Sequence, residues 1–198
     1  NDEHIGDYLM GKSHDLATIA ADGLSTPTLK VDTIQNTSGT SALTINSSGL
    51  VIPKSIIFHA YANDIDQSIS AATNTVIQFP TVIIDNGSGW DATNHRYTGS
   101  IAGYYLCSAT IRSSQQVVSK KVITWRKNGV QESGIETRFQ TNTDELTSSN
   151  LPAPTTLIQA NGSGDYIDLV FNCEEAMTLS TSGIPAHSEI NIMLIHAT

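Results

Sequence analysis

Trp90–Ile111 reads WDATNHRYTGSIAGYYLCSATI, and its second half decides the fold. From Gly103 onward the residues alternate, with Tyr105, Cys107, Ala109 and Ile111 on one side and Tyr104, Leu106, Ser108 and Thr110 on the other. A period of two marks an extended strand, because successive side chains project to opposite faces. The first set is a core face. The second places an aromatic ring and a leucine among hydroxyls, more apolar than a face in open water, and predicts contact with another strand, sheet or subunit. The whole stretch reads as a turn, a short strand and a long strand.

On the N-terminal side, SIIFHAYA (55–62) sets Ile56, Phe58 and Ala60 against Ile57, His59 and Tyr61, and TVIQF (75–79) and TVIID (81–85) lead to the turn Asn86-Gly87-Ser88-Gly89. On the C-terminal side, VVSKKVITWRKN (117–128) runs into Asn128-Gly129, a strong two-residue hairpin signal, and VQESGIETRF (130–139) returns from it. QTNTDELTSSNLPAP (140–154) has no period and two prolines and reads as a surface excursion. TTLIQA (155–160), the turn Asn161-Gly162-Ser163-Gly164 and DYIDLVFNC (165–173) predict a second hairpin. EINIMLIHA (189–197) closes the chain, with Ile190, Ile192, Leu194 and His196 opposed to Asn191, Met193 and Ile195. Many short strands, Asn/Gly turns and no long helix predict an all-β sandwich or jelly roll. The pattern does not contain the strand order.

Residues 1–13 mix charges and isolated apolar residues without a period. HDLATIAADG (14–23) predicts a short helix, with Leu16, Ile19 and Ala20 on one face, Asp15 in the first turn and Gly23 at the end. Between Pro27 and Val51 the apolar pairs Leu29/Val31 and Leu43/Ile45 alternate with polar residues, separated by Ser/Gly/Asn clusters. One thin apolar row has no second layer to cover it, so these strands are expected to assemble with copies from other chains. The run VDTIQNTSGTSALTINSSGLV (31–51) resembles segments of bacteriophage tail fibres and other appendage proteins that precede a C-terminal globular head. The expected division is an N-terminal docking segment (1–26), a β-rich stalk (27–54) and a head (55–198).

The composition excludes several classes. The net charge is -9 and only 15% of the 198 residues are charged, whereas nucleic-acid binders concentrate Lys and Arg. The one basic cluster, Lys120, Lys121, Arg126 and Lys127, is expected to be a solvated rim rather than a groove. No apolar run reaches the ~20 residues of a membrane-spanning helix, so no membrane insertion is expected. Cys107 and Cys173 sit in apolar strand patterns rather than a CxxC arrangement; buried free thiols are the favoured reading and a disulfide the alternative.

Catalytic and metal motifs are missing. There is no GxSxG and no HExxH, and His59, His187 and His196 are single histidines on strands or loops. The acid pairs Asp64/Asp66, Asp144/Glu145 and Glu174/Glu175 do not single out two carboxylates across a cleft, and neighbours on a strand point to opposite faces. No cofactor is expected. Asp64-x-Asp66 and Asp85-Asn86-Gly87-Ser88-Gly89-Trp90-Asp91 carry oxygen ligands compatible with Ca²⁺, but they lack the spacing and distal Glu of an EF-hand; the second reads first as a hairpin turn.

Residues 55–198 together resemble the C1q/TNF-like jelly roll. The matching residues occur in that family's order: Phe58 and Ala60, Ile77 to Phe79, Asn86-Gly87, Trp90-Asp91, Tyr97, Gly103-x-Tyr105, Lys127-Asn128-Gly129, Gly164-Asp165-Tyr166-Ile167, and a final apolar strand. Cys107 stands where the family commonly has Phe, Trp90 replaces the commoner Tyr, and no collagen-like stalk precedes the head. The resemblance implies a non-enzymatic homotrimer, with Tyr104, Leu106, Met193 and Ile195 as subunit contacts. Combined with the fibre-like run, it implies a virion appendage, a tail fibre or spike, whose head contacts a host surface glycan or protein. The N-terminal segment would meet other virion proteins. A capsid decoration or connector with a purely structural head is the alternative. Host-binding candidates lie in the irregular segment: Arg138, Gln140, Asn142, Asp144 and Glu145.

Overall fold

All regular structure is extended among the residues that the computed structural model describes, namely 33–35, 38–39, 41–45, 47–48, 51–53, 55–62, 66–113, 119–140, 149–180 and 188–198. The chain divides between Lys54 and Ser55 into two compact units. In the first, β1 (Thr33–Gln35), β2 (Ser41–Ile45) and β3 (Val51–Pro53) form an antiparallel meander in chain order. Leu43 stands opposite both Ile34 and Pro53, and Ile34 is exposed. The helix expected at 14–23 lies outside the described residues.

The second unit contains β4 (Ile57–Ala62), β5 (Asp66–Ile69), β6 (Thr75–Val76), β7 (Thr81–Asp85), β8 (Trp90–Asp91), β9 (Arg96–Thr98) and β10 (Ala102–Ser113). It continues with β11 (Lys120–Lys127), β12 (Val130–Gln140), β13 (Ser149–Pro152), β14 (Thr156–Asn161), β15 (Tyr166–Cys173), β16 (Met177–Ser180) and β17 (Ser188–Ala197). One sheet has the order β13-β10-β17-β4-β7, and β14 also pairs with β10. The other has the order β12-β11-β15-β9-β8, and β6 also pairs with β15. β5 and β16 form a separate antiparallel pair that the alternation did not reveal. The long strand β10 is the axis of the first sheet: β17 runs along one side, and β14 and then β13 along the other.

The core lies between the sheets. Alternation delivers Phe58, Tyr105, Cys107, Ile111, Ile190 and Ile192 from the first sheet and Ile123, Trp125, Ile167, Leu169 and Phe171 from the second, all buried. Two buried aromatic side chains find polar partners, Trp125 Nε1 donating to the Pro154 carbonyl at 2.8 Å and Tyr105 Oη to the Ile101 carbonyl at 2.7 Å, whereas Tyr97 Oη and Trp90 Nε1 are buried without one among the described residues. Trp90 stacks on Phe58 with ring centroids 4.7 Å apart.

Three local expectations are corrected. β14 and β15 are not a hairpin, because β14 pairs with β10 and β15 with β11, in different sheets. A tight Asn/Gly turn marks a chain reversal equally well for a hairpin and for an arch between layers. Here Gly162 has φ +76°, and a Cβ on it would lie 2.3 Å from the Ala102 nitrogen, so only glycine fits. Secondly, the excursion at 140–154 ends in strand β13; residues 141–148 lie outside the described ones. Thirdly, His196 does not share the inward face of Ile190 and Ile192. A bulge leaves Ile195 without a counterpart, so Leu194 faces Tyr105 and His196 faces Tyr104.

Candidate functional site

The outer face of the first sheet carries an apolar row that crosses four strands. Leu157 on β14 pairs with Leu106 on β10, Leu106 with Met193 on β17, and Met193 with Ile57 on β4. Leu157 is 52% exposed and Met193 37%, while Leu106 and Ile57 are half-buried. Tyr104, also exposed, extends the band beside His196, with ring centroids 6.3 Å apart. The structure thus brings Tyr104, Leu106 and Met193 onto one face and places exposed Ile195 at the bulge bordering it. Leu157 and Ile57 belong to the same row. The sequence signal for Leu157 is its alternation with buried Ile158, which lies on β14 and so outside the two strands, β10 and β17, that carry the expected contacts. The other end of the face turns polar, with Ser108, Thr110, Asn191 and a His59–Glu189 contact of 3.9 Å.

Arg138 and Gln140, expected in a loop, belong to strand β12, opposite Val122 and Lys120. The returning arm expected over 130–139 is strand β12, and backbone pairing carries it one residue further, to Gln140. Asn142, Asp144 and Glu145 lie outside the described residues. Arg138 pairs with Glu136, whose other oxygen accepts from Gln131 Nε2 at 2.9 Å. The Gln131 hydrogen bond, with Arg138 and Lys120 assisting, holds the Glu136 carboxyl below the usual carboxylate range.

The basic cluster is not a solvated rim. Strict alternation turns Lys121 inward with Ile123 and Trp125, where it is 1% exposed. Lys120, Val122, Thr124 and Arg126 point outward and line a concavity of about 220 Å³ with Arg138, Glu136, Gln131, Asn74, Val170 and Asn172 among its walls. Arg126 is anchored there by a bidentate pair to Asp168, with Nε–Oδ1 at 2.8 Å and Nη2–Oδ2 at 2.6 Å.

The oxygens of the calcium-compatible turn are taken by the turn itself. Asp85 accepts from the Gly89 and Trp90 nitrogens at 3.1 and 3.0 Å, and Asp91 accepts from the Thr93 and Asn94 nitrogens and from Asn94 Nδ2. The Asn94 side chain, its backbone and Thr93, with Arg96, lower the Asp91 pKa. Asp64 lies outside the described residues. Among the described residues no group of three or more His, Cys, Asp or Glu could hold a metal ion. Both cysteines are free and buried; burial pushes the Cys107 thiol up, and Cys173 Sγ meets Ser119 Oγ at 2.9 Å.

No family model matches the sequence, and no curated protein does. Solved structures do. The globular domain of the zebrafish complement 1qA protein superposes with a TM-score of 0.52 at 11% identity, covering 72% of this chain and 99% of that domain. The fold is the C1q/TNF jelly roll. The Eiger TNF of S. frugiperda gives a TM-score of 0.53 at 11% identity, over 73% of this chain and 94% of its own. Murine APRIL gives 0.51 at 13% identity, over 72% of this chain and 100% of its own. These identities speak for the fold. In this jelly roll the apolar row lies on the outer face of the β13-β10-β17-β4-β7 sheet, and the concavity lies on the outer face of the β12-β11-β15-β9-β8 sheet.

Proposed function

We propose that the chain is a non-catalytic attachment module of a bacteriophage virion, a tail fibre or spike, whose C1q/TNF-like head forms a homotrimer and contacts the host cell surface. The observation that carries the trimer is the row Leu157–Leu106–Met193–Ile57, apolar across four strands and open to water in a single head. A sheet face of this kind marks an interaction surface. In a closed ring each copy would cover the row of its neighbour, and three heads would add avidity to weak contacts with a repetitive cell surface.

The virion assignment draws on the fibre-like 31–51 run, and the N-terminal segment is assigned the docking role toward other virion proteins. A non-catalytic role is supported by the state of the candidate groups: Asp85 and Asp91 of the 85–91 turn are each engaged by donors of that turn, and the Cys107 thiol is buried, which raises its pKa. Purified protein should bind susceptible cells and compete with infection. Failure on both counts, by protein that is folded and trimeric, would count against attachment. Antibody labelling at the capsid rather than the tail would favour the decoration role instead.

A further inference from the structure

We propose that the concave outer face of the second sheet is a binding site for one carboxylated sugar unit of an acidic surface polysaccharide. The site is built by register. Across the sheet, Gln131 stands opposite Arg126 and Asp168; Glu136 opposite Thr124 and Val170; Arg138 opposite Val122 and Asn172; and Gln140 opposite Lys120. Between the first two of these rows the pairing of β12 jumps, so that Trp125 alone spans the interval from Gln131 to Glu136. This bulge lets Gln131 reach Glu136 and makes one wall of the concavity. The other side is closed by Asn172, whose Nδ2 donates to Asn74 Oδ1 at 3.0 Å.

The chemistry of the lining selects the ligand. The floor is Val122, Thr124 and Val170, and around it stand donors and acceptors: the amides of Asn74, Gln131 and Asn172, the Arg138–Glu136 pair, the Arg126 guanidinium held by Asp168, and the Lys120 ammonium. Paired donors and acceptors over a small apolar floor suit vicinal hydroxyls and the C–H face of a pyranose. No aromatic ring lines the concavity, so base stacking is not served. At about 220 Å³ it falls below the ~300–1,000 Å³ of drug-sized ligand pockets and suits one ring. Charge supplies the carboxylate. The chain carries ten basic residues and a net charge of -9, yet three of the ten, Lys120, Arg126 and Arg138, line this one concavity. Arg126 and Arg138 are in direct contact with carboxylates, whereas among the described residues Lys120 makes no ion pair within 4 Å and acts on Glu136 only from beyond that distance. A ligand carboxylate would complete Lys120.

This site rests on the reading of the head as a surface-attachment module, and the test separates the two. The full chain is titrated with tetragalacturonate and with a glucuronate-containing hyaluronate tetrasaccharide, each against its methyl ester, while adhesion to encapsulated cells is measured in parallel. The acids should bind, and the esters, which lack only the charge, should bind at least about tenfold more weakly, the value of one charge-assisted contact. Lys120→Gln should lose a similar factor toward the acid and little toward the ester, with mass and melting temperature unchanged. Arg138→Ala should weaken both. Equal binding of acid and ester, an unaffected Lys120→Gln, or displacement by inorganic phosphate at equal affinity would overturn the site. Adhesion by a folded protein that binds neither acid would overturn the site and leave attachment standing. Binding of the acids without adhesion would support the site and remove attachment.

Discussion

Single residues fix the two ends of the segment from His95 to Gly103. A Cβ on Gly103 would lie 2.2 Å from the His196 carbonyl oxygen, because the bulge in β17 brings its backbone over this position. Gly103→Ala should therefore cost about 1–3 kcal/mol in denaturant unfolding, the usual range for overpacking. At the other end, His95 has φ +52°, and burial lowers its pKa. A depressed histidine contributes stability that is complete above its unfolded value near 6.5 and is lost as pH falls toward the folded value. His95→Asn removes the titration and suits the left-handed backbone; its stability should fall less than that of the natural protein between pH 7 and pH 5. Asp165 ties two turns together, accepting from Asn128 Nδ2 at 2.8 Å and the Asn161 nitrogen at 3.1 Å. Asp165→Ala should cost about 0.5–1.5 kcal/mol, because the released donors lie at the surface and can turn to water.

At the scale of elements, β10 shows how much a sequence can disclose. Its buried set of Tyr105, Cys107, Ala109 and Ile111 and its outward set of Tyr104, Leu106, Ser108 and Thr110 are where the alternation puts them. Strand faces are a local property, set by a period of two, and so are legible. Pairing is not local. The turn at 161–164 looks the same whether the chain returns in its own sheet or arches to the other, and the bulge at Ile195 reverses a face without a mark in the residue pattern. The concavity is non-local for a related reason: Lys120 is next to buried Lys121 and Arg126 lies five residues beyond it, both on the outward face of β11, and only the register across β12, β11 and β15 assembles them with Arg138 and Glu136. The stability of β10 as an element rests on its aromatic centre. Tyr105→Ala, at a fully buried position with its hydroxyl bonded to Ile101, should cost about 3–5 kcal/mol in equilibrium unfolding.

For the whole molecule, the account turns on the first sheet's outer face. An apolar row that crosses β14, β10, β17 and β4 needs a cover, and three heads arranged around an axis would supply it. A charge placed in the middle of the row, Leu106→Asp, would be stranded in that contact, yet it would remain half in water in a single head, so the fold should survive while the assembly does not. Sedimentation equilibrium at micromolar concentration tests this most directly. The account predicts three times the 21.2 kDa chain mass for the natural protein, and a single folded chain for Leu106→Asp. A natural protein that sediments as a stable monomer would contradict it.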